Sequence, residues 1–179
     1  MLEMTGQQLR VEQWANFHMI TSAAAATLLG LLFVAITLAI ELGRKDRSSL
    51  KTYITPTATC LSIILLMNAT LTIPTQTRLT TVICICLGGI GGLAYSVSLV
   101  VRRGGGISFY DRVDLFYYVV FPLAGYALVV AGGLLLLRTP QIGLTLVAAG
   151  VLILLGMAIR NSYAIVITIV SRENPRRTG

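Results

Sequence analysis

Arg160 is the residue of this sequence with the clearest capacity for chemistry, because it lies within an otherwise uncharged, apolar run. Eleven uncharged residues, 161–171, separate it from the next charged side chain. An arginine held in hydrocarbon must pair with an acid or reach the headgroups, and intramembrane charges commonly mark functional sites. We predict that Asp114 and Glu41 neutralise Arg160, with Tyr118 one helical turn from Asp114. This charge cluster would either form a working site or clamp three helices together.

A second polar pattern lies in an apolar stretch that is dense in threonine and serine. At helical spacing Thr55, Thr59 and Ser62 share one face, and Asn68 and Thr72 share another. A hydroxyl-lined face suits the wall of a water-filled pore. The alternative is structural, because such hydroxyls also bond carbonyls of their own helix or of a neighbouring helix.

His18 and the three cysteines invite a metal or redox hypothesis, which their positions do not favour. A single histidine without nearby thiols supplies neither a zinc ligand set nor a pair of haem ligands. His18 would suit a pH sensor, but an interfacial histidine is the simpler interpretation. Cys60 is expected in the opposite leaflet from Cys84 and Cys86, which lie on nearly opposite faces of one helix. We therefore predict no disulfide, no metal site and no cofactor.

Motifs for catalysis are missing from the sequence. It contains no Walker loop and no His-Glu-x-x-His motif, and no Ser-His-Asp set falls on a plausible common face. The glycine-rich stretch 88–92 lies in mid-span, where no phosphate could reach it. We assign no catalytic residue and do not expect an enzyme.

These polar groups lie in a chain that is otherwise apolar. Its residues are 55% hydrophobic and 12% charged, with a mean hydropathy of +0.81, which excludes an ordinary soluble domain. Five uncharged stretches each reach the ~20 residues that a helix needs to cross a ~30 Å hydrocarbon layer. We predict one domain over residues 19–171, an all-α, polytopic transmembrane helical bundle. The predicted spans are about 19–42, 54–74, 79–101, 109–137 and 141–170.

Basic residues accumulate on one side of the predicted bundle. When the spans are threaded in order, ten Lys and Arg side chains fall on one side and three on the other, Arg160 apart. This asymmetry predicts the N-terminus outside and the C-terminus in the cytoplasm. Residues 1–18 then form an extracytoplasmic segment with a short interfacial helix, and residues 172–179 form a basic cytoplasmic tail. The net charge of +7 suits anionic lipids at the cytoplasmic face and requires no nucleic-acid partner.

Small residues recur every four residues in three of the predicted spans, a spacing that lets helices approach closely in lipid. They are Ser22, Ala26 and Gly30 in the first span, Gly88 and Gly92 in the third, and Ala127 and Ala131 in the fourth. We predict helix-packing seams at these positions, either within one chain or between chains.

The first span, residues 22–37 preceded by Trp14 and Phe17, resembles that of a family of small uncharacterised bacterial multi-spanning membrane proteins. Residues 73–76 and 161–166 are similar to the patterns of that family at matching places. Some members are labelled modulators of a membrane-anchored ATP-dependent protease. The resemblance covers most of the chain, and it implies this fold and a location in the bacterial inner membrane.

We therefore predict a non-enzymatic integral membrane protein that acts through the packing of its transmembrane helices. It would work as a homo-oligomer or as an accessory, modulatory subunit of a membrane complex, so its expected partners are itself or another membrane protein. The alternative is a small oligomeric ion channel or transporter. In that case the hydroxyl-lined face and the charge cluster would form or gate the path.

Overall fold

The protein is helical throughout the part of the chain that its computed structural model describes, residues 2–41, 47–74, 77–103 and 120–171. These ranges contain helices and turns and no strand, which confirms the predicted all-helical class. The helices are α1 (Leu2–Glu41), α2 (Arg47–Leu71), α3 (Arg78–Arg103), α4 (Phe121–Leu135) and α5 (Pro140–Ser171).

Four of the described helices are long and apolar enough to cross a membrane, which confirms a membrane-compatible helical bundle. Their apolar segments are Trp14–Leu38, Ile54–Leu71, Arg78–Val101 and Pro140–Tyr163. The described part of the remaining predicted span is α4, an apolar helix of 15 residues. The rest of that predicted span, before Val120, lies outside the described residues. Residues 2–18 form the first turns of α1, continuous with the first apolar segment.

Pro140 and several threonine hydroxyls fit these helices at positions where they cost little, whereas Pro56 lies inside α2. Pro140 is the first residue of α5, where a missing N–H leaves no intrahelical bond unmade. Thr27 and Thr37 in α1, and Thr145 in α5, donate their hydroxyls to carbonyls four residues earlier. Such side chains satisfy their own polar groups within the helix, as a lipid environment requires.

Helices that follow one another in the chain run antiparallel, so α1 and α5 run parallel. The Ser22 hydroxyl of α1 donates to the Leu65 carbonyl of α2, while Phe33, further along α1, meets Thr55, further back along α2, at one cleft. Contacts join α1 to α2, α2 to α3, α3 to α4, α4 to α5 and α5 to α1, and α2 also contacts α5 across the bundle. Helices α2 and α5 supply most of the buried hydrophobic residues of the described bundle.

Glycines set the distance between α4 and α5, which make the most extensive contact. A Cβ added to Gly132 would lie 2.7 Å from the Gly143 carbonyl oxygen, and one added to Gly143 would lie 2.8 Å from the Gly132 oxygen. Gly125 and Gly150 meet in the same reciprocal way two turns along, with the added Cβ of Gly150 2.6 Å from the Gly125 oxygen. The backbones therefore touch directly, and no larger residue fits without separating the helices.

Candidate functional site

The most buried polar contact between described helices joins His18 of α1 to Asn68 of α2. His18 is 3% exposed and Asn68 is 0% exposed, and His18 Nδ1 lies 2.6 Å from Asn68 Oδ1. The two residues lie near the end of the bundle at which α2 ends and α3 begins. A buried pair of this kind must satisfy its polar atoms internally, because neither water nor lipid headgroups reach it.

The orientation of the Asn68 amide settles which atom donates. Asn68 Nδ2 donates to the Ile64 carbonyl at 2.8 Å, so the opposite amide atom facing His18 is the oxygen. An oxygen accepts, and His18 Nδ1 therefore carries the proton that it donates to Asn68. This arrangement leaves Nε2 as the nitrogen of the ring that is not engaged by Asn68.

An aromatic side chain of the same helix packs against the histidine ring. The Phe17 ring meets the His18 ring edge to face at a centroid distance of 5.4 Å, and Trp14 meets Phe17 at 5.8 Å. The buried Thr21 hydroxyl lies 2.9 Å from the Phe17 carbonyl and 3.1 Å from the His18 carbonyl. The His18 ring thus packs against Phe17 and is buried rather than exposed at the helix surface.

The sequence had separated these two residues into different interpretations. The sequence predicts His18 at the membrane interface, and it leaves Asn68 either to line a pore beside Thr72 or to bond a helix. The structure instead buries His18 and directs Asn68 to it, whereas the Thr72 hydroxyl bonds the Ala69 carbonyl of its own helix at 2.7 Å. A signal existed in the sequence, since an antiparallel α1/α2 pair brings the start of the first span beside the end of the second.

The other three predicted lining residues, Thr55, Thr59 and Ser62, do share one face and line a cleft between α1 and α2. The cleft holds about 370 Å³ and is open along one side. Leu32 and Phe33 of α1 are among the apolar residues of its wall. Leu32 packs with partly buried neighbours from both helices in a small cluster apart from the main core. The cleft is thus a lateral wedge between two helices and is mainly apolar.

The predicted charge cluster can be followed only in part. Asp114 and Tyr118 lie outside the described residues. Glu41 is the exposed last residue of α1, and Arg160 is partly buried on α5. The structure therefore neither joins nor separates the four members.

Two polar residues follow Arg160 on α5, and neither is among the site residues predicted from the sequence. Asn161 is 2% exposed, and Ser162 is partly buried. Within the described ranges, Asn161 Oδ1 and Ser162 Oγ are buried atoms without a hydrogen-bond partner. Such a polar pair is hard to recognise in a sequence, because neither residue is charged and the run around it is apolar.

The predicted packing residues divide between covered and uncovered faces. Gly88 lies against Met67, with Sδ 3.2 Å from an added Cβ, and Gly92 lies against the Tyr126 ring. Ser22 contacts α2 through its hydroxyl. By contrast, Ala26, Gly30, Ala127 and Ala131 are exposed on the outer surface of the described bundle. The contact between α4 and α5 is made by glycines instead. They are seven residues apart in each helix, at Gly125 and Gly132 in α4 and at Gly143 and Gly150 in α5.

Arg78 makes a further contact at the same end of the bundle as the His18–Asn68 pair. Its Nε donates to the Leu136 carbonyl at 2.8 Å, and a second guanidinium nitrogen donates to the same oxygen. Leu136 follows the last residue of α4, so its carbonyl belongs to the negative end of that helix. The guanidinium therefore ties the start of α3 to the end of α4.

The cysteines do not form a redox pair in this structure. Cys60, Cys84 and Cys86 are free thiols, and Cys60 is buried. No group of three His, Cys, Asp or Glu side chains among the described residues could hold a metal ion. The side chains of His18, Ser22 and Arg78 each join two described helices. Comparisons of this chain with models of protein families, with curated proteins and with solved structures find no match.

Proposed function

We propose that this is a non-enzymatic integral membrane protein that acts through packing of its helices against another membrane helix. One observation carries the proposal, an uncovered face of small residues on α1. Ala23, Ala26, Thr27 and Gly30 are all exposed on this face. No other described residue comes within 4 Å of a Cβ added at Gly30. We call these four residues the small-residue face.

Such a face suits a partner helix better than lipid alone. Apolar attraction does not distinguish a helix from lipid tails, so helices associate where small side chains let backbones come close. The bundle uses this device internally at Gly132 and Gly143. The small-residue face has similarly short side chains on the outer surface of the described bundle. Its one hydroxyl, on Thr27, donates to the Ala23 carbonyl at 2.9 Å, so a partner helix need not supply an acceptor for it.

The partner is either a second copy of this chain or a larger membrane complex to which it is an accessory subunit. The resemblance to bacterial proteins labelled as protease modulators favours a modulatory role in the inner membrane. The full proposal includes five spans, an external N-terminus and a cytoplasmic C-terminus, supported by the charge asymmetry of the sequence.

The oligomeric state of the full chain in mild detergent tests this proposal, with Gly30→Leu as the probe. We expect the wild type to run as an oligomer or to co-purify with a membrane protein, and Gly30→Leu to lose that association. Gly91→Leu is the matched control, because Gly91 is also exposed and open in the described bundle but lies on α3. A solitary monomeric wild type, or equal effects of both substitutions, would contradict the proposal.

A small channel or transporter is the second candidate, favoured by the alignment of three hydroxyls in the α1/α2 cleft. Ion flux through liposomes that contain the purified protein separates it from the first. An accessory protein gives no flux above empty liposomes, whereas a channel gives flux that Thr59→Val reduces.

A further inference from the structure

The α1/α2 cleft combines apolar walls with a row of hydroxyls. Leu32, Phe33 and Ile63 are among the residues that supply the apolar walls. Thr55 and Thr59 contribute hydroxyls to the lining, with Ser62 on the same face. Neither hydrogen bonds nor other polar contacts within the described ranges engage these three hydroxyls. Most other described hydroxyls in the apolar segments bond a carbonyl of their own helix.

The dimensions of the cleft match one chain of a lipid. It runs along α2 from Ile54 to Leu66, which is about 18 Å at the rise of an α-helix. One leaflet is about half of the ~30 Å hydrocarbon thickness, so the cleft is as long as a leaflet is deep. Its volume of about 370 Å³ falls within the range of ordinary ligand sites. Both walls belong to membrane-compatible segments, so the open side faces hydrocarbon.

Charge at one end of the cleft points to the chemistry of the headgroup. The register positions that continue the hydroxyl row of α2 towards its first turn are Lys51 and Arg47, four and eight residues before Thr55. Residues four apart lie on one face of a helix. A single face of α2 thus reads, from its start, two cations, then hydroxyls, then apolar residues. No acidic residue lies between Arg47 and Leu71.

We propose that this cleft binds one anionic phospholipid. An acyl chain lies between the walls of α1 and α2, and the ester and glycerol oxygens lie beside Thr55 and Thr59. The hydroxyls donate to the ester carbonyl oxygens, which leaves no polar group unpaired in hydrocarbon. The phosphate lies at the level of Lys51 and Arg47, where cations attract anionic headgroups. The site is separate from the small-residue face and does not rest on the proposed function.

Native mass spectrometry of the delipidated full chain, titrated with phosphatidylglycerol or phosphatidylcholine of identical acyl chains, tests the proposal. Two cations favour the anionic headgroup by about thirtyfold at the first bound lipid. We expect Arg47→Gln with Lys51→Gln to abolish that preference. The matched control is Arg102→Gln with Arg103→Gln, which removes the same charge from α3. Equal binding of the two lipids by the wild type, or equal losses in both double variants, would overturn the proposal.

Two further variants test the cleft itself. Ala58 is half-buried in its lining, so Ala58→Trp should fill it and lower the affinity for the first anionic lipid at least tenfold. Ala94→Trp, on an exposed part of α3, should leave it unchanged. Thr55→Val with Thr59→Val keeps the shape and should weaken binding about fivefold. The paired control is Thr37→Val with Thr145→Val, whose hydroxyls bond their own helix.

The results also identify a different occupant of the cleft. If Ala58→Trp changes the oligomeric state and leaves lipid binding intact, a helix of a second copy fills the cleft and the lipid proposal is wrong. If Ala58→Trp loses its helical content, the valine pair decides, and unchanged lipid affinity in that pair overturns the proposal. Gly30→Leu reports on the small-residue face, so failure of the one proposal is distinguishable from failure of the other.

Discussion

At the scale of single residues, the His18–Asn68 pair shows how a neutral polar contact can fix the register of two helices in an apolar bundle. Both side chains are fully enclosed, and every alternative register of α1 on α2 would leave a histidine and an amide unpaired in hydrocarbon. Apolar neighbours tolerate sliding, because one leucine packs much like another. The pair therefore contributes specificity beyond the strength of one hydrogen bond.

Replacement of Asn68 by Leu should lower the free energy of unfolding by about 1–3 kcal/mol, because His18 Nδ1–H loses its acceptor in a buried site. The double change Asn68→Leu, His18→Phe removes both polar partners and should recover part of that loss. Resistance to unfolding in a denaturing detergent measures both. Thr72→Val is the control, since its hydroxyl bonds only its own helix. A double variant no more stable than the sum of the single effects would refute the coupling.

At the scale of helices, the sequence locates the apolar segments well and the helix ends less well. The predicted spans 54–74 and 79–101 correspond to α2 and α3, yet α2 begins earlier, at Arg47, and α3 continues to Arg103. An uncharged run predicts which part of a helix lies in hydrocarbon. The helix can continue beyond that part, because its basic residues are well solvated at the membrane interface. The sequence places His18 and Asn68 at the same end of two antiparallel spans, but it does not specify their pairing. That pairing depends on the register between two helices, which no single stretch of sequence encodes.

The seam between α4 and α5 should tolerate no side chain at its glycines. Gly132→Ala places a methyl group 2.7 Å from the Gly143 oxygen and 2.8 Å from Val147, so the helices must separate. We expect a loss of about 1–3 kcal/mol in the free energy of unfolding, the usual cost of overpacking. Gly156→Ala on the same helix pair should be neutral or slightly stabilising, because it meets open space and alanine favours helix. Equal stabilities of the two variants would exclude close backbone contact at this seam.

The link between Arg78 and the end of α4 should also contribute measurably. Arg78→Gln removes a charged donor from the Leu136 carbonyl, and we expect the free energy of unfolding to fall by about 1–2 kcal/mol. Arg138→Gln removes the same charge from the turn after α4 and should have little effect, because Arg138 is exposed and its guanidinium does not hold the Leu136 carbonyl. The measurement is again detergent-induced unfolding. Indistinguishable curves for the two variants would show that the Arg78 contact does not stabilise the bundle.

At the scale of the whole molecule, the bundle is asymmetric in how its helices are covered. In the apolar segment of α5, 56% of residues are buried, against 22% in those of α1 and α3. A peripheral helix such as α1 keeps exposed surface that can bind a partner or a lipid, whereas most of the surface of α5 is buried. This explains why the small-residue face and the lateral cleft both involve α1.

The orientation of the bundle follows from its charge distribution and can be measured directly. We expect Ser49→Cys, beside Arg47 and Lys51, to react with a membrane-impermeant maleimide only after cells are permeabilised. Thr139→Cys, in the turn between α4 and α5, should react in intact cells. A background in which the three native cysteines are replaced by alanine serves both variants. Labelling of Ser49→Cys in intact cells would reverse the proposed topology.

The turn between α4 and α5 has a consequence for the order in which the molecule assembles. It is short, and its amides at Leu137, Arg138 and Thr139 bond carbonyls of the last turn of α4. The glycine seam that it joins therefore closes with little loss of chain entropy, since the two faces are near neighbours in sequence. The α4–α5 hairpin is the local unit able to form first after insertion into the bilayer. The distant contact of α2 with α5 would then form against a surface that already exists.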